Sequence, residues 1–188
     1  MRWALRLGHL YGIAIRVHFT FLFLLAFLFL VATLAHGWLS GLRSLLFILL
    51  VFACVLLHEL AHSYVSVQYG LRVRSIVLLP IGGLALLEDL PREPRQEIHI
   101  ALAGPAANFL LALWFGGLLI VLNQATAFRP VLSGEALLPS LFWSNLYLGL
   151  FNLIPAYPLD GGRVLRAWWG RRMDYIDATR RAVVVGET

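Results

Sequence analysis

The stretch LLFILLVFACVLLHELAHSYV, residues 45–65, decides how this chain is read. It carries no charge before His58, and with its flanks it is long enough to cross a bilayer. Yet it ends on two histidines and a glutamate at H-E-x-x-H spacing. On a helix, positions i and i+4 share one face, one turn apart. His58 and His62 so placed can hold one Zn²⁺ at about 2.0–2.1 Å each. Glu59, beside the first, is suited to act as general base in metal-assisted hydrolysis. A charged side chain at mid-bilayer costs roughly 2.5–3.5 kcal/mol even on the milder scales, so such residues usually have partners and a function.

Composition agrees with the membrane reading. Of 188 residues, 60% are hydrophobic and 13% charged, with a mean hydropathy of +0.80. A soluble domain is nearer half apolar and a quarter charged. All 15 basic residues are arginine and the net charge is +5. No arginine run interleaves with polar, base-reading residues, which sets nucleic-acid binding aside. The single cysteine, Cys54, lies inside an apolar helix and reads as a small core residue; alone, it forms no internal disulfide. The flank MRWALRLGHLYGIAIRVH, residues 1–18, is long for a signal-peptide n-region, and no small-x-small cleavage site follows it. The first apolar run is therefore expected to remain as a span.

About 20 apolar residues cross the hydrocarbon core. Four segments qualify: residues 19–39, 44–70, 98–122 and 136–159. The expected fold is a mainly α, multi-pass transmembrane helical bundle. Arginines orient it. Arg43 and Arg129 fall in the first and third interspan loops, and the other thirteen fall in the N-terminal flank, the middle loop and the tail. The positive-inside rule then puts the N-terminus and tail in the cytoplasm, and spans two and four both run inward. Two short regions read as strands. GIAIRVHF, 12–19, alternates apolar and other residues. LRVRSIVLLPIGGLALLEDLP, 71–91, has a Pro-x-Gly-Gly break between two strand-length runs, a hairpin signal. Together they predict a small sheet at the cytoplasmic membrane interface.

A catalytic zinc needs a third protein ligand and an open position. Glu88, Asp89, Glu93 and Glu97 sit among arginines, where solvated charge is the default. His9, His18, His36 and His99 flank spans. Asp160 differs: it directly follows the fourth apolar run, and its ordinary reading is a turn or helix cap before Gly161-Gly162. Depth favours it as a ligand. His58 lies about 14 residues past the outer end of span two, roughly 21 Å in a core about 30 Å thick. Asp160 lies at the inner end of a span running the same way, and Pro155 and Pro158 break the helix before it, so the chain can bend toward the metal.

With these residues in view the chain resembles the site-2 protease family, the intramembrane zinc metalloproteases. The likeness rests on HELAH (58–62), NLIPAYPLDGGRVLR (152–166) and AGPAAN (103–108), and extends to GIAIRVHFTF (12–21) and PIGG (80–83). It implies a single zinc held by His58, His62 and Asp160, with Glu59 as general base. The family's asparagine falls on Asn152, a candidate donor to the substrate carbonyl. Asn108, just after Gly104-Pro105, is a candidate to orient a ligand. The implied activity is hydrolysis of a peptide bond in or near a transmembrane segment of a membrane protein. The helical substrate must unwind, and an exposed strand near LLPIGG could hold it by β-addition. The partners implied are that substrate and the lipid bilayer, in the cell membrane.

The interval 123–136 is too short for an inserted PDZ domain, so the likeness is to the PDZ-less branch that often carries a CBS-domain pair. AVVVG, 182–186, reads as the start of a further span. We expect one protease core over 1–188, truncated at its C-terminus. The competing class is a membrane metal-binding protein or metal transporter. Transport predicts polar residues in both membrane halves; spans one, three and four offer few toward the outside.

Overall fold

The computed structural model describes residues 4–89, 91, 93–123, 130 and 132–187. Arg2, Arg92 and Arg129, used above for orientation, lie outside the described residues. The chain opens with a hairpin of β1 (Ala4–Leu10) and β2 (Ile13–His18). Tyr11 and Gly12 both take positive φ at its tip, which matches the right-handed twist of the flanking strands. Three long helices follow in part: α1 (Phe19–His36), α2 (Trp38–Gln68) and, after a second hairpin, α3 (Pro94–Val121). The second hairpin is β3 (Val73–Leu79) and β4 (Gly82–Leu87), and α4 (Leu137–Asn152), α5 (Asp160–Trp169) and α6 (Tyr175–Glu187) complete the chain.

Among the described residues, three helices are long and apolar enough to cross a membrane: α1, α2 and α3. This corrects the four expected spans. The segment 136–159 splits into the 16-residue α4 and an irregular stretch before α5. Pro155 removes a helical N–H and biases Ile154 away from helix, and Pro158 repeats the interruption three residues on. Apolar composition alone does not register that break.

The four strands form one sheet in the order β1-β2-β3-β4; β2 and β3 run parallel and the outer pairs antiparallel. The expected strand at 12–19 and the hairpin turning at Pro80-Ile81 are both present. β1 was read only as a flank, although Leu5, Leu7 and Leu10 follow a partial alternation. Strand β3 is the sheet's interior, with Ser75, Ile76, Val77 and Leu78 all buried. Val17, Phe21, Val55 and Leu78 pack together and seat the sheet on α1 and α2.

Helix α3 is the hub, packed against α2, α4 and α5. Its buried residues include Ala101, Gly104, Asn108, Ala112, Phe115 and Leu119, a face recurring every three or four positions. Small residues on that face let neighbouring backbones approach closely. Cys54, Phe115 and Leu141 join α2, α3 and α4, so Cys54 is the core residue expected. The outer surface is apolar: Phe23, Phe27, Leu30 and Leu34 on α1 and Leu110, Leu113 and Trp114 on α3 are exposed. Polar His58, His62, Asn108 and Asn145 are buried instead. That inversion suits a bundle surrounded by lipid, where apolar surface has no drive to hide and polar groups must pair inside.

Candidate metal centre

On α2, His58 and His62 lie on one buried face, where their Nδ1 atoms meet Asn108 and Ile100 of α3. The two imidazoles therefore enter the bundle one turn apart. Asp160 comes to them from the first turn of α5, 98 positions along the chain from His62. His62 Nε2 lies 3.1 Å from His58 Nε2 and 3.1 Å from Asp160 Oδ2. His58 Nε2 lies 3.3 Å from the same oxygen. The ligand atoms of all three residues fall within 4.8 Å of one another, and all three side chains are buried.

Proton placement tests whether this cluster suits a cation. His58 Nδ1 lies 2.5 Å from Asn108 Oδ1, and His62 Nδ1 lies 2.6 Å from the backbone carbonyl of Ile100. A carbonyl oxygen only accepts, so both Nδ1 atoms donate and carry the ring proton. Each Nε2 of a neutral ring is then a bare lone pair, as metal-bound histidines require. Two such lone pairs and a carboxylate oxygen converge at a buried point. That donor set fits one metal ion such as zinc.

Three glycines make the approach possible. A Cβ at Gly104 on α3 would collide with both imidazoles. A Cβ at Gly161 would meet the carbonyls of Leu153 and Ile154, and one at Gly162 the backbone of Ala156 and Tyr157. The Gly-Gly pair thus lets the first turn of α5 pack against the irregular 153–157 segment, which carries Asp160 to the histidines. Arg163, one turn further, approaches Asp160 Oδ1 at 3.6 Å, leaving Oδ2 toward the rings.

Glu59 follows His58 by one position and so leaves the helix about 100° round, toward the sheet. Its side chain lies against Gly83 of β4, where a Cβ would overlap it. A cavity of about 380 Å³ adjoins the centre. Glu59, the His58, His62 and Asp160 cluster, Asn152, Arg163 and β4 all line it. Asn152 is half-buried at the end of α4, and its Nδ2 donates to Leu148 O at 3.0 Å. Asn108, expected as a candidate to orient a ligand, lies on α3 with its Oδ1 against His58 Nδ1.

Two polar features escaped the reading of the sequence. Glu97, assigned to solvated loop charge, is instead buried in the first turn of α3 and ion-paired with Arg166 of α5. Arg166 also donates to the Tyr157 hydroxyl at 3.3 Å. A buried charge is retained when it is paired, and this pair ties α5 to α3 beside the centre. The second feature is Asn145, buried on α4 and bonded to Asn108. A lone asparagine within the apolar run LFWSNLYLGLF, 141–151, was the available signal.

The model of peptidase family M50 matches residues 46–134 and 132–186. The zinc metalloprotease MJ0392 of Methanocaldococcus jannaschii is 40% identical, an alignment covering 100% of this chain and 52% of that protein. The putative zinc metalloprotease Rip3 of Mycobacterium tuberculosis is 37% identical over 95% of this chain and 47% of its own length. The chain therefore spans about half the length of the curated relatives it matches. Among solved structures, the site-2 protease from Methanocaldococcus jannaschii superposes with a TM-score of 0.70 at 35% identity, covering 98% of this chain and 80% of that one. A metal-ready donor set on α2 and α5, this shared fold and a family match across both motifs lead to one assignment: the chain belongs to peptidase family M50, the site-2 protease family of zinc metalloproteases.

Proposed function

We propose that this chain is an intramembrane zinc metalloprotease that hydrolyses a peptide bond in or near a transmembrane segment of a membrane protein. The observation that carries the reading is the cavity: the three-residue donor set, Glu59 and a free sheet edge all open onto it. His58, His62 and Asp160 are the zinc ligands. When bound, zinc supplies Lewis acidity, acidifying water and polarising a carbonyl. Glu59 takes one proton from the attacking water as its oxygen bonds the scissile carbon, then passes that proton to the amine as the C–N bond breaks.

Asn152 donates to the substrate carbonyl oxygen. Its Nδ2 now serves Leu148 O, and a substrate would share or take over that donor. Asn152→Ala should lower kcat by about 10²–10³-fold, the usual cost of one oxyanion donor. Metal analysis of the same variant should show native zinc; an unchanged kcat would remove Asn152 from the reaction.

Strand β4 has β3 on one side and, among the described residues, no strand on the other, and Gly83, Leu84, Ala85 and Leu87 line the cavity. An unwound substrate added as a fifth strand would have its backbone groups paired and its scissile bond beside Glu59. The arginine distribution supports an orientation with the N-terminus and the site toward the cytoplasm. The test is cleavage of a single-span reporter by the full chain in proteoliposomes. Stripping zinc with a chelator should stop cleavage and added zinc restore it. Cleavage that persists in zinc-free protein would overturn the proposal.

A further inference from the structure

We infer that Asn145 is a positioning residue for the metal: acting through Asn108, it fixes His58 in the tautomer that turns a bare Nε2 to the site. This rests on the metal-site reading above and adds a residue on α4, a helix that supplies no ligand. The argument begins at a backbone carbonyl. Asn145 Nδ2 donates to Leu141 O at 2.8 Å. That oxygen only accepts, so the amide group of Asn145 has one satisfactory orientation, with its own Oδ1 turned to α3. There it accepts from Asn108 Nδ2 at 3.0 Å. The Asn108 amide is thereby oriented in turn, and its Oδ1 accepts from His58 Nδ1 at 2.5 Å. The proton is held on Nδ1, and a bare Nε2 faces the site, 3.3 Å from Asp160 Oδ2 and 3.1 Å from His62 Nε2.

Every member is shielded from water: Asn145 is 1% exposed, Asn108 0% and His58 4%. No solvent molecule at the surface can substitute for a missing link, and reversing the chain would set two acceptors face to face at Leu141 O. His62 offers an internal contrast. Its Nδ1 donates straight to the backbone of Ile100, so no side chain sets its tautomer. His58 alone of the two rings depends on amides that can flip. With Asn145 removed, Asn108 can turn its Nδ2 to His58 Nδ1. The ring then carries its proton on Nε2 and must shed it before ligating. Asn145 is also a helix–helix hydrogen bond, and a purely structural role would weaken the fold without touching the metal.

Zinc affinity separates the two roles, measured on the purified full chain against a competing chromophoric chelator. Asn108→Leu should weaken binding by roughly 10–100-fold, the range for partners outside the ligand shell. Asn145→Leu should weaken it by about 10-fold, toward the lower end of that range. Because the two act in series, Asn108→Leu/Asn145→Leu should bind as Asn108→Leu alone does. Asn145→Asp should bind within a few-fold of native, since a protonated carboxyl can donate to Leu141 O and accept from Asn108. Native affinity in Asn145→Leu, with only its melting temperature lowered, would overturn the inference while leaving the metal site standing. Additive losses in the double variant would do the same. Failure of the native chain to bind zinc would overturn the metal-site reading itself, and the inference with it.

Discussion

Glu59→Gln should keep its zinc and cleave a single-span reporter about 10²–10⁴-fold more slowly than the native chain, the range for a lost general base. The substitution preserves shape and removes only basicity: a carboxamide cannot take the water proton at neutral pH. Zinc should be retained because Glu59 is outside the group of His58, His62 and Asp160, whose ligand atoms lie within 4.8 Å of one another. Its side chain leans on Gly83 of β4, and glutamine fills the same volume there. Zinc content and rate must therefore be measured on one preparation. Equal rates for variant and native chain would show that Glu59 is not the base. Loss of zinc together with activity would make it a ligand instead.

Asp160→Ala should show the opposite signature: a protein that folds but purifies without zinc. Removing the carboxylate leaves two neutral imidazoles and no anionic donor among the three convergent residues. Zinc affinity should fall by more than the roughly 10–100-fold that loss of an outer partner costs. The fold should survive because α5 has other attachments. Arg166 pairs with Glu97 of α3, and Gly161 and Gly162 pack on the 153–157 backbone whether or not a carboxylate precedes them. Elemental analysis gives the metal content, and a native thermal transition excludes unfolding as its cause. Unchanged zinc in Asp160→Ala would remove Asp160 from the centre.

These two variants target residues that could be picked out before any fold was known, for different reasons. His58, Glu59 and His62 were legible because helical periodicity is local: four residues make one turn whatever surrounds them. Asp160 needed a longer argument from membrane depth and two prolines. The fourth span was misjudged by the same evidence, since Pro155 and Pro158 both aim Asp160 and end α4 short of a crossing. Glu97 was misjudged because a carboxylate among arginines looks solvated until one knows which arginine reaches it. Its partner, Arg166, is 69 positions away.

Hydropathy and i, i+4 spacing are properties of neighbouring residues, so the amino-acid order alone identifies a membrane protein with a histidine pair spaced for a metal on an apolar helix. Which lone pairs meet is settled by packing between distant helices. The tautomers of His58 and His62 are set by Asn108 and a carbonyl on α3, and the Asn108 amide by Asn145 on α4. Hydrogen-bond direction has no signature in composition or period. It exists only once helices far apart in the chain pack closely enough for one acceptor to orient the next donor.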